Sequence, residues 1–343
     1  MRNINLRSSR VQALNQWLNQ QFSYEYIQLT PLSGDAGFRC YYRFLINGAS
    51  FIAVDAPSDK SNNNAFVFMQ KCLRKQNILV PNIVAVDLSL GFFCLADFGE
   101  VLLADILSAE NMVMTYKKAI EILPRIQSGL PENTTELPRY DKAFVELELS
   151  IFHEWLLAEH LSLMLTDDEQ KQLTHCFSIL TENVMSQPQV LIHRDYHSRN
   201  IMVLTSNELG VIDFQDAVIG PITYDIVSLL RDCYLKWPDE QVTLLLDHYI
   251  DTVAKQHSLT HVTRDQWQRW FDLTGIQRHI KACGIFARLH HRDNKSGYLD
   301  DIPLTLNYII DISQRYKELG FIHQLIVKKV LPAMKSIKDG RLK

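Results

Sequence analysis

Two short apolar runs bracket a loop crowded with acid, base and amide groups in Leu191-Ile192-His193-Arg194-Asp195-Tyr196-His197-Ser198-Arg199-Asn200-Ile201-Met202-Val203. A third run, Val211-Ile212-Asp213-Phe214-Gln215-Asp216, follows and ends in carboxylates. Apolar runs this short, bounded by turn-forming residues, read as buried strands at 190–193, 201–204 and 211–214. They form an island. Helical periodicity covers 102–107, 112–127, 140–159 and 167–185 before it, and resumes at 223 almost to the end.

The first hundred residues are different. Apolar positions at Val11, Leu14, Trp17, Leu18 and Phe22 predict a helix over 8–22. Strands follow at 26–29, 41–46 and 51–54, with Asn47-Gly48 as a hairpin turn, then a helix at 65–76 and strands at 81–86 and 91–96. A mixed front followed by a mainly helical remainder gives an α+β fold of two lobes.

Bulk properties narrow the function. The chain has 343 residues, enough for two domains or one domain of two lobes. A net charge of -4 gives no basic excess, which argues against nucleic acid as partner. The cysteines at 40, 72, 94, 176, 233 and 283 form no CxxC pair and read as reduced thiols. The N-terminal residues lack the apolar region of a signal peptide, and no run has the length of a membrane span. The expectation is a cytoplasmic protein without membrane contact. Its oligomeric state is not legible.

Phosphoryl transfer needs a carboxylate to orient and deprotonate the attacking hydroxyl, oxygen ligands for Mg²⁺, and a rigid frame. Asp195 can be the base. Asn200, five residues on, and Asp213, at the end of the next strand, can hold the metal. His193 and His197 have a zinc-like i,i+4 spacing, but no helix is predicted there, so both read as structural. His153-Glu154 and Glu159-His160 read as a solvated helix face.

HRDYHSRN followed by Asp213-Phe214 resembles the catalytic and metal-binding loops of eukaryotic-type kinases. With His197 two residues after Asp195, it is more similar to aminoglycoside phosphotransferases and choline kinases. The resemblance implies a protein-kinase-like fold, with a small mixed α/β N-lobe (1–97) for nucleotide and a larger helical C-lobe (98–343) for catalysis, metal and substrate. It implies ATP and Mg²⁺ as cofactors, Asp195 as catalytic base, and Asn200 and Asp213 as metal ligands.

The third strand, Phe51 to Pro57, lacks the lysine that protein kinases place on the phosphates, and ends in Asp55-Ala56-Pro57. That ending resembles a subgroup, the bacterial anomeric kinases of N-acetylmuramate and N-acetylglucosamine that serve cell-wall recycling. The likeness covers 33–44, 54–60, 95–100, 193–203, 211–234 and 284–303. Gly37 and Cys40 depart from it, standing where Ser and Arg are expected. Ser33, Gly34, Asp35 and Gly37 then cover the phosphates, Arg39 and Arg43 supply the missing cation, and Leu95 to Asp97 meet the adenine. His197, Gln215, Asp216, Arg231, Arg288 and Arg292 are candidate contacts to a small amino sugar, with Asp232, Asp293 and Lys295 beside them.

Two other readings stay open. A kinase for an aminoglycoside, choline or another amino-alcohol would want acidic groups, such as Asp239-Glu240 or Asp300-Asp301. A nucleotide-binding pseudokinase would explain the absent lysine.

Overall fold

The computed structural model describes residues 2–32, 39–129 and 137–338. Packing divides the chain into two compact units, 1–107 with 199–216 and 108–198 with 217–343. A cut at residue 97 therefore falls inside the first unit, which also takes in a later segment. The reason is hydrogen bonding. Ile201–Val203 and Leu209–Val211 form a hairpin, Met202 bridges to Leu102, and the Val211 N–H donates to the Leu79 carbonyl at 2.8 Å.

In the first unit, α1 (Arg2–Phe22) precedes β1 (Thr30–Pro31), β2 (Cys40–Ile46) and β3 (Ala49–Asp55). Next come α2 (Asn63–Lys75), β4 (Ile83–Asp87), β5 (Phe92–Ala96) and α3 (Leu103–Ile106). The sheet is antiparallel in the order β1-β2-β3-β5-β4. Asn47 and Gly48 both have positive φ, 51° and 78°, the backbone that a two-residue hairpin turn demands. Leu14, Trp17 and Leu18 pack the helical stripe of α1 into a core with Ile27, Phe44, Ile46, Ala53, Phe92 and Cys94.

No strand forms at the expected 26–29, and β1 is only Thr30–Pro31. Side chains of α1 use the backbone there instead. Asn15 Nδ2 donates to the Ile27 carbonyl, and Asn19 Nδ2 to the Glu25 carbonyl at 3.0 Å.

The second unit opens with α4 (Met112–Ile120), α5 (Leu123–Gln127) and α6 (Lys142–Ile151). Pro124, which cannot donate into a helix, sits in the first turn of α5, so the single helix expected over 112–127 is two. α6 continues from Phe152 to His160 with π winding, seen in the Leu161 N–H to Leu156 carbonyl bond at 3.0 Å. Then come α7 (Asp167–Ser186), β6 (Gln189–Ile192), β7 (Val218–Pro221), α8 (Tyr224–Leu230), α9 (Asp239–Gln256), α10 (Arg264–Asp293) and α11 (Ile302–Ser313). β6 pairs with β7. The sequence reading missed β7 because Gly220-Pro221 reads as a turn. The strand expected over 211–214 stops at Val211, since Asp213 turns into the left-handed region at φ 64°. Among the described residues no helix is long and apolar enough to cross a membrane.

α10 is the axis of this unit, and Gly284 lets another backbone touch it. A Cβ there would lie 2.6 Å from the Ile151 carbonyl carbon and the Phe152 nitrogen. Gly284→Ala is expected to cost about 1–3 kcal/mol by overpacking. Denaturant unfolding should show a lower midpoint at unchanged slope.

Candidate active site

The second unit carries Asp195 on a loop that leaves β6. Buried Asp225, at the start of α8, accepts the His193 N–H at 2.7 Å and the Arg194 N–H at 2.9 Å. Burial pushes its carboxyl up to about 7, against the pull of those two N–H groups. Buried Asp232 holds the other end of the loop, taking the Ser198 N–H at 3.2 Å and its hydroxyl at 2.6 Å. Tyr196 reaches in to donate to the Ala119 carbonyl at 2.8 Å. Inside this frame Arg194 adopts φ 78°, a strained state for a non-glycine residue. Its guanidinium is fixed on Glu148 at 2.7 Å and over the Phe144 ring at 4.8 Å.

Glu148 is the hub of a buried polar network. It also pairs with Lys281 at 3.0 Å and accepts from the Tyr140 hydroxyl and from Gln277 at 3.3 Å. Lys281 donates in turn to the Tyr224 hydroxyl at 3.0 Å. This network sets the charge of Asp195. Desolvation would raise its carboxyl, but Lys281 first, then Arg194, His197 and Arg278, hold it below the ordinary carboxylate range. Asp195 is thus an ionised acceptor at neutral pH, able to take and orient a hydroxyl proton.

Lys281→Met removes the largest of those cations. A depressed carboxyl contributes stability above its unfolded pKa and loses it as pH falls through the folded one. With Lys281 gone, the acidic limb of kcat/KM against pH should move upward, and stability should fall by about 3 kcal/mol because Glu148 loses a buried partner. An unmoved limb would detach Lys281 from Asp195.

The first unit carries Asn200 and Asp213. Asn200 is buried, and its carbonyl accepts the Ile212 N–H at 3.1 Å, which ties the start of one hairpin strand to the residue before Asp213. Asp213 is exposed, and Gln215 Nε2 donates to its Oδ1 at 2.7 Å. Aspartate tolerates the left-handed φ of this position better than most residues. Tyr41 feels the charge of two predicted groups. The protein around it raises its hydroxyl pKa, the Asp213 carboxylate adds to that, and Arg39 opposes it. Arg39 lies over the Phe66 ring at 5.2 Å and shares a small hollow with Tyr41, Val54, Phe93 and Leu95. Its Nη1 is buried without a hydrogen-bond partner.

Other predicted residues have different employment. Ser33, Gly34, Asp35 and Gly37 lie outside the described residues. Arg43 bonds Asp97 at 2.6 Å, Glu100, and the Gly99 carbonyl at 2.8 Å, so Arg43 and Asp97 neutralise each other. Asp55 of the lysine-free strand is clamped by Arg10 through bonds of 2.8 and 3.1 Å. Arg231 is buried against Asp272 at 2.5 Å and over Phe271 at 4.2 Å, an ion pair between helices. His197 packs on Tyr234 with ring centres 5.6 Å apart. Asp216 is exposed, and exposed Arg292 bonds Asp293 at 2.8 Å. Arg288 is partly buried, with Nε lacking a hydrogen-bond partner.

The sequence reading missed Glu148, Lys281, Arg278, Asp225 and Tyr41. One signal was available. Arg278 and Lys281 interrupt the apolar helix Gly275-Ile276-Gln277-Arg278-His279-Ile280-Lys281-Ala282-Cys283, and cations in such a segment must find partners inside.

Comparison with known proteins gives the family and the fold. Residues 28–261 match the model of the phosphotransferase enzyme family, and the chain belongs to that family. It is 37% identical to the N-acetylmuramate/N-acetylglucosamine kinase of Pseudomonas putida, over 93% of this chain and 96% of that protein. Among solved structures it is similar to a choline kinase from Streptococcus pneumoniae (TM-score 0.62, 12% identity, covering 87% of this chain and 99% of that one). An ADP-bound aminoglycoside phosphotransferase is also similar (TM-score 0.57, 16% identity, 86% and 97%). These neighbours carry the expected α+β, protein-kinase-like fold.

Proposed function

We propose that this chain is an ATP- and Mg²⁺-dependent kinase that phosphorylates the anomeric hydroxyl of N-acetylmuramate, N-acetylglucosamine or both, in cell-wall recycling in the cytoplasm. The observation that carries the reading is the ionised Asp195, poised by Lys281 and Arg194 on a loop pinned by Asp225 and Asp232. An anomeric hydroxyl is more acidic than an ordinary alcohol, so a carboxylate of low pKa suffices as base, mainly by orienting the nucleophile. The named relative supports the amino sugar.

The donor groups suit the cofactors. Mg²⁺ takes hard oxygens, and the Asn200 amide and Asp213 carboxylate offer them just outside the two strands of one hairpin. Bound there, the ion would supply charge neutralisation to the phosphates. Arg39 has an unpartnered buried nitrogen beside the apolar surfaces of Val54, Phe93 and Leu95, which suits a nucleotide, whereas Arg43 is spent on Asp97. Ser33, Gly34, Asp35 and Gly37 would cover the phosphates, with the 1–97 lobe holding nucleotide and the 98–343 lobe acceptor. On the acceptor side Arg288, with Nε unpartnered, is the best-placed cation for a lactyl carboxylate. Gln215, Asp216, His197 and Arg292 remain candidate sugar contacts. Arg231 acts through its ion pair with Asp272.

The test is ADP release with a panel of N-acetylmuramate, N-acetylglucosamine, aminoglycosides and choline, with and without Mg²⁺. Turnover is expected only with the two sugars and only with metal. Turnover with choline or an aminoglycoside alone would overturn the sugar assignment. Silence with every acceptor, in protein that binds ATP, would make the chain a pseudokinase.

A further inference from the structure

A second cluster of chemistry lies beside Arg288 and Arg292 and is built from other side chains. His160 ends the π-wound continuation of α6, while His290 and His291 occupy the last turn of α10. Gly284 lets the two backbones touch at Ile151 and Phe152. Both segments then run on from that contact for a similar number of residues, so His160 arrives beside the end of α10. The π winding matters, because it turns the final side chain away from where an α-helix would aim it.

One ring nitrogen from each of the three histidines falls within 4.8 Å of the other two. His160 Nδ1 and His291 Nε2 are 3.1 Å apart. Two imidazole nitrogens on one tetrahedral Zn²⁺, each at 2.0–2.1 Å, would stand about 3.3 Å apart. A simple hydrogen bond between His160 and His291 explains that pair but not the third ring. His290 lies 4.6 Å from His291 and 5.9 Å from His160 between ring centres, and its Nδ1 is buried without a hydrogen-bond partner. Burial and then His290 lower the His291 pKa, and Glu159 opposes them. His291 is exposed, which leaves the cluster open to solvent for a further ligand.

We infer that His160, His290 and His291 form a binding site for an imidazole-preferring divalent transition metal such as Zn²⁺, distinct from the Mg²⁺ ligands Asn200 and Asp213. Three nitrogens with a solvent-open position match the donors and coordination that Zn²⁺ takes, and Mg²⁺, which wants oxygen, is excluded. The metal would cross-link the end of α10 to the π-wound segment.

The experiment titrates untagged, nucleotide-free full-length chain with Co²⁺, followed by its visible d–d absorption, and then displaces it with Zn²⁺. Saturation at one equivalent is expected, unaffected by excess Mg²⁺. His160→Ala and His291→Ala should each weaken binding at least about tenfold by removing one of three donors, while His153→Ala on the same segment changes nothing. Zn²⁺ should raise the melting temperature of the wild type but not of the His160 or His291 variants. His160→Gln, which keeps the side chain's bulk, guards against loss of fold. Absence of saturable Co²⁺ binding to wild type would overturn the site, as would equal binding in the His160 and His291 variants. A thiolate-to-cobalt charge-transfer band would put the metal on a cysteine and overturn it too.

Discussion

Asp195→Asn should lower kcat by roughly 10²–10⁴, the usual worth of a general base, while the chain stays folded. The substitution keeps the side chain's shape and removes only its charge and basicity. The loop has anchors besides that carboxylate. The backbone of Asp195 is fixed on both sides: its N–H donates to His193 Nδ1 at 3.3 Å and its carbonyl accepts from the His197 N–H at 3.1 Å. Asp225 and Asp232 anchor the two ends independently. Lys281 and Arg194 lose one anion but keep Glu148. The melting temperature at pH 7 should therefore fall only modestly, by the share of stability the depressed carboxyl had contributed. Because the loss concerns the transferred proton, KM for both substrates should change far less than kcat. Steady-state kinetics with a parallel melting curve checks this, and near-wild-type turnover would remove Asp195 from the chemistry.

Why the candidates Asp195, Asn200 and Asp213 stand out in the sequence, while the partners of the acceptor-side candidates do not, has a physical explanation. A strand-loop-strand segment keeps its functional groups close in the chain, so residue type and spacing carry the pattern directly. The Asn-Gly turn and the α1 stripe are local in the same sense. Arg288 and Arg292 sit in a helix and Arg231 just past the end of one, positions where one residue type serves opposite ends. Arg231 is buried on an aspartate forty-one residues away, and nothing near it in the chain announces Asp272. Arg43 is likewise consumed by Asp97, across the sheet. Glu148 and Lys281 are invisible for a further reason. α10 is buried on nearly every side over 270–281, so it shows no polar face against which an inward charge would stand out. His160 was read as part of a solvated face because its partners lie more than a hundred residues on.

Asp213→Ala should abolish Mg²⁺-dependent turnover and weaken Mg·ATP binding. If the metal contributes several kcal/mol to stabilising the transferring phosphoryl group, its loss is worth roughly 10³-fold or more in kcat. The residue's setting sharpens the choice of variants. At φ 64° alanine pays about 1–2 kcal/mol of backbone strain that aspartate largely escapes, and Gln215 loses its acceptor at 2.7 Å. A drop in activity with alanine alone could therefore arise from a displaced 213–215 turn. Asp213→Asn separates the two causes, since asparagine also tolerates the left-handed region and keeps an oxygen for Gln215. If charge on the metal is what matters, the asparagine variant should hold wild-type stability while its activity saturates only at much higher Mg²⁺. If geometry is what matters, asparagine should restore turnover at ordinary Mg²⁺. Titrating activity with Mg²⁺ in both variants, with calorimetric binding of Mg·ATP, distinguishes the outcomes. An unchanged Mg²⁺ dependence in the alanine variant would remove Asp213 from the metal site and leave Asn200 without its charged partner.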